Sequence, residues 1–336
     1  MEERLTSKGG FKKLVRWSIT IVIVGLIIYG IARAIIRDWP EIVAYDWKIE
    51  WGKLIVSVFL ASSGNLLNTK VMQRLVKAFG GEIDYPRFAF IFTISNFGRY
   101  VPGKVAQIAG QVLLLKREGV RKTVSLTSAV VFQGMLVLVG GILGILLVGS
   151  EVLSKVIPSV PDWAIYILAI VGFIMTIPGI MEKVINRGFK LIKREPIVYN
   201  LSFRDWFVAV IALTVGWSLL GLGFAVMTDS LTTGPLNYPY ACGTFMVAYL
   251  VGWLILIAPG GLGVREGVIM LFLTGIFTSG IAGIVAAAAR LWLMLVEFAI
   301  LGIAAGIFKF SGGKISGFLK VKNNTETDYE QDKKNK

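Results

Sequence analysis

Apolar residues in this chain come in long runs, and most charged residues fall between them. The first run, Trp17 to Ile36, is long enough to cross the ~30 Å hydrocarbon layer as a helix. A basic segment precedes it, as in a signal peptide. The apolar part is too long for that reading, however, and no small-residue cleavage site follows. It reads as a retained first helix, with Arg33 snorkelling near its end. Further spans are predicted at Leu54 to Met72, Thr123 to Val148, Trp163 to Met181, Trp206 to Met227, Tyr240 to Ile257 and Ile281 to Phe308.

Two regions break this pattern. Phe88 to Leu115 is interrupted by NFGRYVPGK, and Ile255 to Thr278 by APGGLGVREG. The charges on either side of the first break constrain its path. Lys70, Arg74, Lys77 and Arg87 precede it, and Lys116, Arg117, Arg121 and Lys122 follow it, so both flanks read as cytoplasmic. A segment that enters between them must return to the same face. Its arms, Phe88 to Phe97 and Val105 to Leu115, are short for complete spans. Two half-helices meeting at the break fit better. Because backbone leaves the helix at membrane depth only where protein or water covers it, the break should line an internal cavity.

The second region can be read the same way from the opposite face, or Tyr240 to Ile257 can cross outright. The counts are six crossings with two re-entrant pairs, or about eight with one; the length of Tyr240 to Ile257 favours eight. The expected fold class is therefore all-α: a polytopic membrane protein of about eight transmembrane helices with one or two re-entrant broken-helix pairs. Breaks at corresponding places in two halves point to an inverted repeat. Residues 1–16 read as a cytoplasmic N-terminus, 17–308 as the transmembrane domain and 309–336 as a basic, disordered cytoplasmic tail.

Composition sharpens this picture more than it changes it. Hydrophobic residues make up 55% of 336 and charged residues 17%, with a mean hydropathy of +0.71, more than a soluble surface allows. The net charge of +14 alone would suggest nucleic acid, but most of the 35 Lys and Arg lie in the alternate loops and termini. That is the positive-inside pattern: both termini cytoplasmic in a multi-pass cell-membrane protein, with no nucleic-acid partner. Zero histidines exclude His ligands and His-based triads. The single Cys242 excludes an intrachain disulfide and reads as a small packing residue. No cofactor and no metal site are expected.

The charges left inside the apolar runs are the candidates for function. The first break holds Asn96, Arg99, Tyr100, Pro102, Gly103, Lys104, Gln107 and Gln111. Arg99 and Lys104 would be costly at membrane depth without an anion, water or a partner. An arginine fork matches phosphate oxygens, and free N–H groups after Pro102 favour an anion. The competing reading is a basic interfacial loop, with Tyr100 in an aromatic belt and Gln107 in an interhelical hydrogen bond. GRYVPGK lacks the spacing of a phosphate-binding P-loop.

In the second break, Arg265 could bind an anion and Glu266 could balance it or exchange a proton; a tight solvated loop is the alternative. Arg290 and Glu297 are seven residues apart on one face of the last helix, as a buried structural pair completed by another helix or as proton carriers. Asn65, Asn68 and Gln133 read more simply as interhelical hydrogen bonds than as ligand contacts.

FGRYVPGKVAQ, Phe97 to Gln107, and APGGLGVREG, Ala258 to Gly267, resemble the motifs of the family named after the transmembrane region of lysylphosphatidylglycerol synthase. That family includes the flippase part of multiple peptide resistance factor proteins, and the resemblance covers about residues 15 to 310. It implies a stand-alone lipid translocase moving a phospholipid or polyprenyl-phosphate-linked lipid between leaflets. Arg99, Tyr100, Lys104, Gln107, Arg265 and Glu266 would face the substrate. The implied partner is a membrane lipid with an anionic head group, and a homo-oligomer is one option. The synthase's aminoacyl-transferring module has no counterpart here, so a transporter is favoured over an enzyme. The alternatives are a membrane enzyme acting on a lipid-linked phosphate or sugar, with Glu266 as acid or base, and a non-catalytic partner of an envelope enzyme.

Overall fold

The computed structural model describes residues 25, 29–30, 32–33, 35–100, 105–149, 161–191, 201–255 and 259–313. The expected first span, Trp17 to Ile36, and both terminal segments lie largely outside them. All regular structure among the described residues is helical. In chain order the helices are α1 (Trp39–Ala44), α2 (Trp51–Ala78), α3 (Tyr85–Asn96), α4 (Val105–Arg117), α5 (Lys122–Val148), α6 (Asp162–Thr176), α7 (Pro178–Leu191), α8 (Phe203–Leu231), α9 (Tyr238–Leu254), α10 (Val264–Leu273) and α11 (Ser279–Phe310). Short 3-10 turns occupy Phe97–Tyr100 and Pro259–Gly261.

Four of these helices, α2, α5, α8 and α11, are long and apolar enough to cross a membrane. They contain the predicted runs at Leu54, Thr123, Trp206 and Ile281. At 1.5 Å per residue even the 27 residues of α5 reach about 40 Å. Large apolar side chains four residues apart remain exposed along them, such as Ile55 and Phe59 on α2 and Leu291 and Leu295 on α11. In a membrane protein this surface faces lipid.

The predicted span from Trp163 to Met181 is not one continuous helix. It breaks at Ile177, where the chain turns extended before Pro178, and α6 and α7 meet at 87°. Proline disfavours helical backbone at the residue before it and has no N–H to continue the ladder. The bent pair can count as one span, giving a fifth crossing among the described residues.

The first predicted break is a helical hairpin. α3 and α4 have 12 and 13 residues, about 18–20 Å each, and pack against one another. Gly98 allows the turn: a Cβ there would lie 2.6 Å from the backbone nitrogen of Gln107. The mouth of the hairpin lies with the basic loops, where Arg87 pairs with Glu118 at 3.0 Å.

The second break is a hairpin of opposite sense. α9 has 17 residues and α10 has 10, about 25 and 15 Å. Gly260, Gly261 and Gly263 take positive φ between them, and Gly261 passes so close to Gly252 that a Cβ would lie 3.0 Å from its carbonyl oxygen. Its mouth lies at the other end of the bundle, where the Tyr240 hydroxyl donates to the Phe272 carbonyl at 2.7 Å. The acidic loops gather at that end: Asp38 accepts from the Gly280 amide at 2.7 Å, and Lys53 bridges Glu50 and Asp229 at 3.0 and 2.8 Å.

The core forms around α2 and α8, which run antiparallel. The start of α2 meets the end of α8 where the Glu50 amide donates to the Ser230 carbonyl at 3.0 Å. Further along, Ser57 and Ala61 face Gly223, and Gly64 faces Gly216. A Cβ on Gly64 would lie 2.5 Å from the Gly216 oxygen, so the two backbones approach as closely as glycine permits. α5 packs on α9 through Gly144 and Gly243 in the same manner, and α11 packs on α3. Cys242 is buried in this core beside Gly221, a packing residue as expected.

Candidate functional site

The tips of the two hairpins meet inside the bundle. A Cβ on Gly260 would lie 3.1 Å from the Tyr100 ring, so glycine is needed there for space as well as for its φ of 60°. Around this contact the structure gathers three arginines and two glutamates from three separate elements.

Arg99 lies in the 3-10 turn at the first tip. Its Nε donates to the Asn96 carbonyl at 2.9 Å, which folds the side chain back into the bundle. Its Nη1 lies 3.4 Å from Glu297 Oε1 and 3.4 Å from the Tyr249 hydroxyl oxygen. The Tyr100 hydroxyl donates to the other Glu297 oxygen, Oε2, at 2.7 Å. One carboxylate on α11 thus holds two consecutive residues of the first break. Gln107, at the start of α4, donates to the Asn96 side-chain oxygen at 2.7 Å and closes the tip.

Arg265 and Glu266 open α10 and are both buried, at 5% and 8% exposure. The neighbours do not pair with each other. Glu266 meets Arg290 of α11 at 3.7 Å. Arg290 also donates to the Gly260 carbonyl at 3.5 Å and sits 5.4 Å from the centre of the Tyr100 ring. Arg265 lies 4.2 Å over the Tyr249 ring, its Nε has no hydrogen-bond partner, and no carboxylate among the described residues comes within ion-pair distance.

Magnitudes indicate what this arrangement lacks. A desolvated cation–π contact is worth about 2 kcal/mol, whereas burying an ion costs several. Stacking on Tyr249 therefore offsets only part of the burial of Arg265. The cluster carries one more positive than negative charge.

Arg99 and Arg265 both face one narrow cavity of about 60 Å³, room for a few waters. Asn65 and Asn68 of α2, Gln133 of α5, and Asn96 and Gln107 of the first hairpin line it with amides. Phe92, Phe132, Trp217, Tyr249 and Trp253 supply aromatic walls. Asn65, Gln133 and Trp217 each sit near the middle of a long helix, so the cavity lies at half height in the bundle. A smaller void of about 30 Å³, which shares Asn65, Asn96, Arg99 and Tyr249 with the first, reaches Glu297. No group of three or more carboxylate or thiol side chains that could hold a metal ion occurs among the described residues.

Of the expected residues, Arg99, Tyr100, Gln107, Arg265, Glu266, Arg290 and Glu297 come together; Lys104 lies outside the described residues. Two expected relations differ. Glu266 balances Arg290 rather than Arg265, because consecutive helical residues project about 100° apart. Arg290 and Glu297 are not partners of each other; each is completed by a residue from a different hairpin. Asn65 keeps a helix-internal bond to the Ala61 carbonyl, yet it, Asn68 and Gln133 also line the cavity. Tyr249 and Trp217 had no signal in the sequence, since an aromatic residue in an apolar helix does not show which way it points.

No curated protein matches this chain. The family model described as the lysylphosphatidylglycerol synthase TM region matches residues 17–302, a stretch that contains both hairpins and most of α11. A match over most of the chain, with both hairpins inside it, shows that the protein belongs to the lysylphosphatidylglycerol synthase transmembrane-region family.

Proposed function

We propose that the protein is a lipid translocase that holds the phosphate of an anionic lipid head group between Arg99 and Arg265 at half height in the membrane. The observation that carries this reading is Arg265: a buried guanidinium facing a cavity whose described lining contains no carboxylate. A phosphate there would accept from two arginine forks and compensate the excess positive charge. Lys104, by its place in the first break, would add a third cation, and the lipid tails would remain outside the bundle. Family membership supports a lipid-handling role.

The two hairpins open toward opposite ends and touch at their tips. This arrangement supports an inverted repeat, α2–α5 against α8–α11, with the site at its centre. α10, at about 15 Å, is too short to cross, so both hairpins are re-entrant and the chain crosses six times, counting Trp17 to Ile36 and the bent α6–α7 pair. Both termini are then cytoplasmic, on the side of the basic loops. Transport without ATP is consistent with the absence of a P-loop motif, and Glu297 or Glu266 would carry any coupled proton. An enzyme reading asks for an acid or base facing the cavity, and both described carboxylates of the cluster are instead engaged by arginine.

The test is translocation of fluorescent anionic lipid in liposomes. Arg99→Ala and Arg265→Ala should each reduce the rate at least about tenfold, the loss of roughly 1.4 kcal/mol of binding. Activity unchanged by both substitutions would sink the proposal.

A further inference from the structure

We infer that α7 lies in the plane of the membrane and docks on its anionic lipid surface through Lys183, Arg187 and Lys190. This surface is separate from the central cavity, and the inference does not depend on what that cavity holds.

α7 follows the break at Ile177, and its direction differs from that of α6 by 87°. The joint is fixed to the bundle. The Trp206 indole donates to the Thr176 hydroxyl at 3.3 Å, and the Phe173 and Trp206 ring centroids are 6.0 Å apart. Trp206 stands in the first turn of α8, whereas Asp229 and Ser230 at the other end of α8 meet Lys53 and Glu50 of the acidic loops. α7 therefore leaves the bundle at its basic end, level with the point where Arg204 and Asp205 end the apolar run of α8. α6 packs on the long helix α5, with Gly172 against Ile142, so a turn of this size directs α7 across the bundle axis and along the membrane surface.

The residues of α7 suit that position. Met181 and Ile185, one turn apart, pack on the bundle; Met181 is 3% exposed, and a Cβ on Gly134 of α5 would lie 3.5 Å from its Cε. Two further sectors face outward. Ile180, Val184 and Leu191 are exposed at 36%, 46% and 82%, and at 3.6 residues per turn they fall within an arc of about 40°. Lys183, Arg187 and Lys190 are exposed in the neighbouring arc of about 60°. None of the three forms an ion pair with a carboxylate among the described residues.

An exposed apolar stripe beside an unpaired basic stripe fits the boundary of a bilayer, where acyl chains take the first and lipid phosphates the second. A soluble acidic partner would answer only the cations. The apolar stripe instead continues the lipid-facing surface of α6, where Ile170, Val171 and Ile174 are exposed. Continuing α6 through the hydrocarbon is disfavoured, because Glu182, Lys183, Arg187 and Lys190 would have to enter it.

The experiment places single nitroxide labels on the full-length protein in nanodiscs, in a Cys242→Ala background. Labels at Val184→Cys and Leu191→Cys should collide preferentially with oxygen, which dissolves among acyl chains. A label at Glu182→Cys, on the opposite side of the helix, should collide with a water-soluble nickel chelate. Replacing part of the phosphatidylcholine with phosphatidylglycerol should raise the oxygen-to-nickel collision ratio at Val184 at least about twofold. The combined substitution Lys183→Gln, Arg187→Gln and Lys190→Gln should abolish that increase. Raised salt, which screens the cations without altering the chain, should do the same. An increase that survives both treatments overturns the role of the cations. Nickel access at Val184 and Leu191 equal to that at Glu182 overturns the lipid surface as the occupant, in favour of a soluble partner or a second copy. A depth that grows steadily from Ile180 to Leu191, rather than alternating with the helical period, overturns the in-plane orientation.

Discussion

Glu297 does more at the site than its place in the sequence suggests. It accepts from Tyr100 and pairs with Arg99, so it stands where a substrate anion would otherwise compensate the Arg99 charge. Removing one member of a buried pair leaves a stranded charge and costs roughly 3–5 kcal/mol, while removing both is far milder. Glu297→Gln and Arg99→Gln should therefore each lower thermal stability in detergent more than the double substitution does. An additive double mutant would show that the two residues are not coupled. The charged members of the site were legible as residue types, because an intramembrane charge stands out against an apolar run. Their pairing was not legible, since Arg99 and Glu297 are 198 positions apart in the chain.

At the scale of elements, glycine decides where helices approach and where they stop. Gly64 and Gly223 let α2 and α8 pack backbone to backbone, and a Cβ on Gly223 would lie 2.7 Å from the Ser57 oxygen. Gly223→Leu should separate the pair and cost about 1–3 kcal/mol or more, the usual range for overpacking, read as a lower unfolding temperature. Gly302, with nothing near its Cβ position, should tolerate alanine with little change. The long helices were legible because 18 or more apolar residues have few other uses. The division of Trp163 to Met181 was not. Pro178 marks a break, but the 87° bend depends on what α6 and α7 pack against.

Considered whole, the molecule has two halves of the same pattern: a long helix, a short hairpin and another long helix, with the first long helices of the halves packed antiparallel. The hairpin tips meet at Tyr100 and Gly260, and α11 supplies Arg290 and Glu297 to join them. If transport rocks one half against the other, tying a tip to α11 should arrest it. Phe97 and Phe298 have ring centroids 5.8 Å apart, and a short reducible cross-link between cysteines at these positions should stop translocation until reductant is added. Undiminished transport in the cross-linked protein would exclude that motion.

The sequence by itself determined the solvent, the all-helical class and the two glycine-rich places where the hairpins turn. All of these depend on local transfer free energies and backbone preferences, which each segment carries with it. Only the tertiary structure decided that the hairpins enter from opposite ends, that Glu266 serves Arg290 and Glu297 serves Arg99 and Tyr100, and that side-chain amides line the cavity beside Arg99 and Arg265. Those relations depend on distances between segments remote in the chain. An apolar run states only that it is buried in lipid or protein, and does not specify which neighbour it meets.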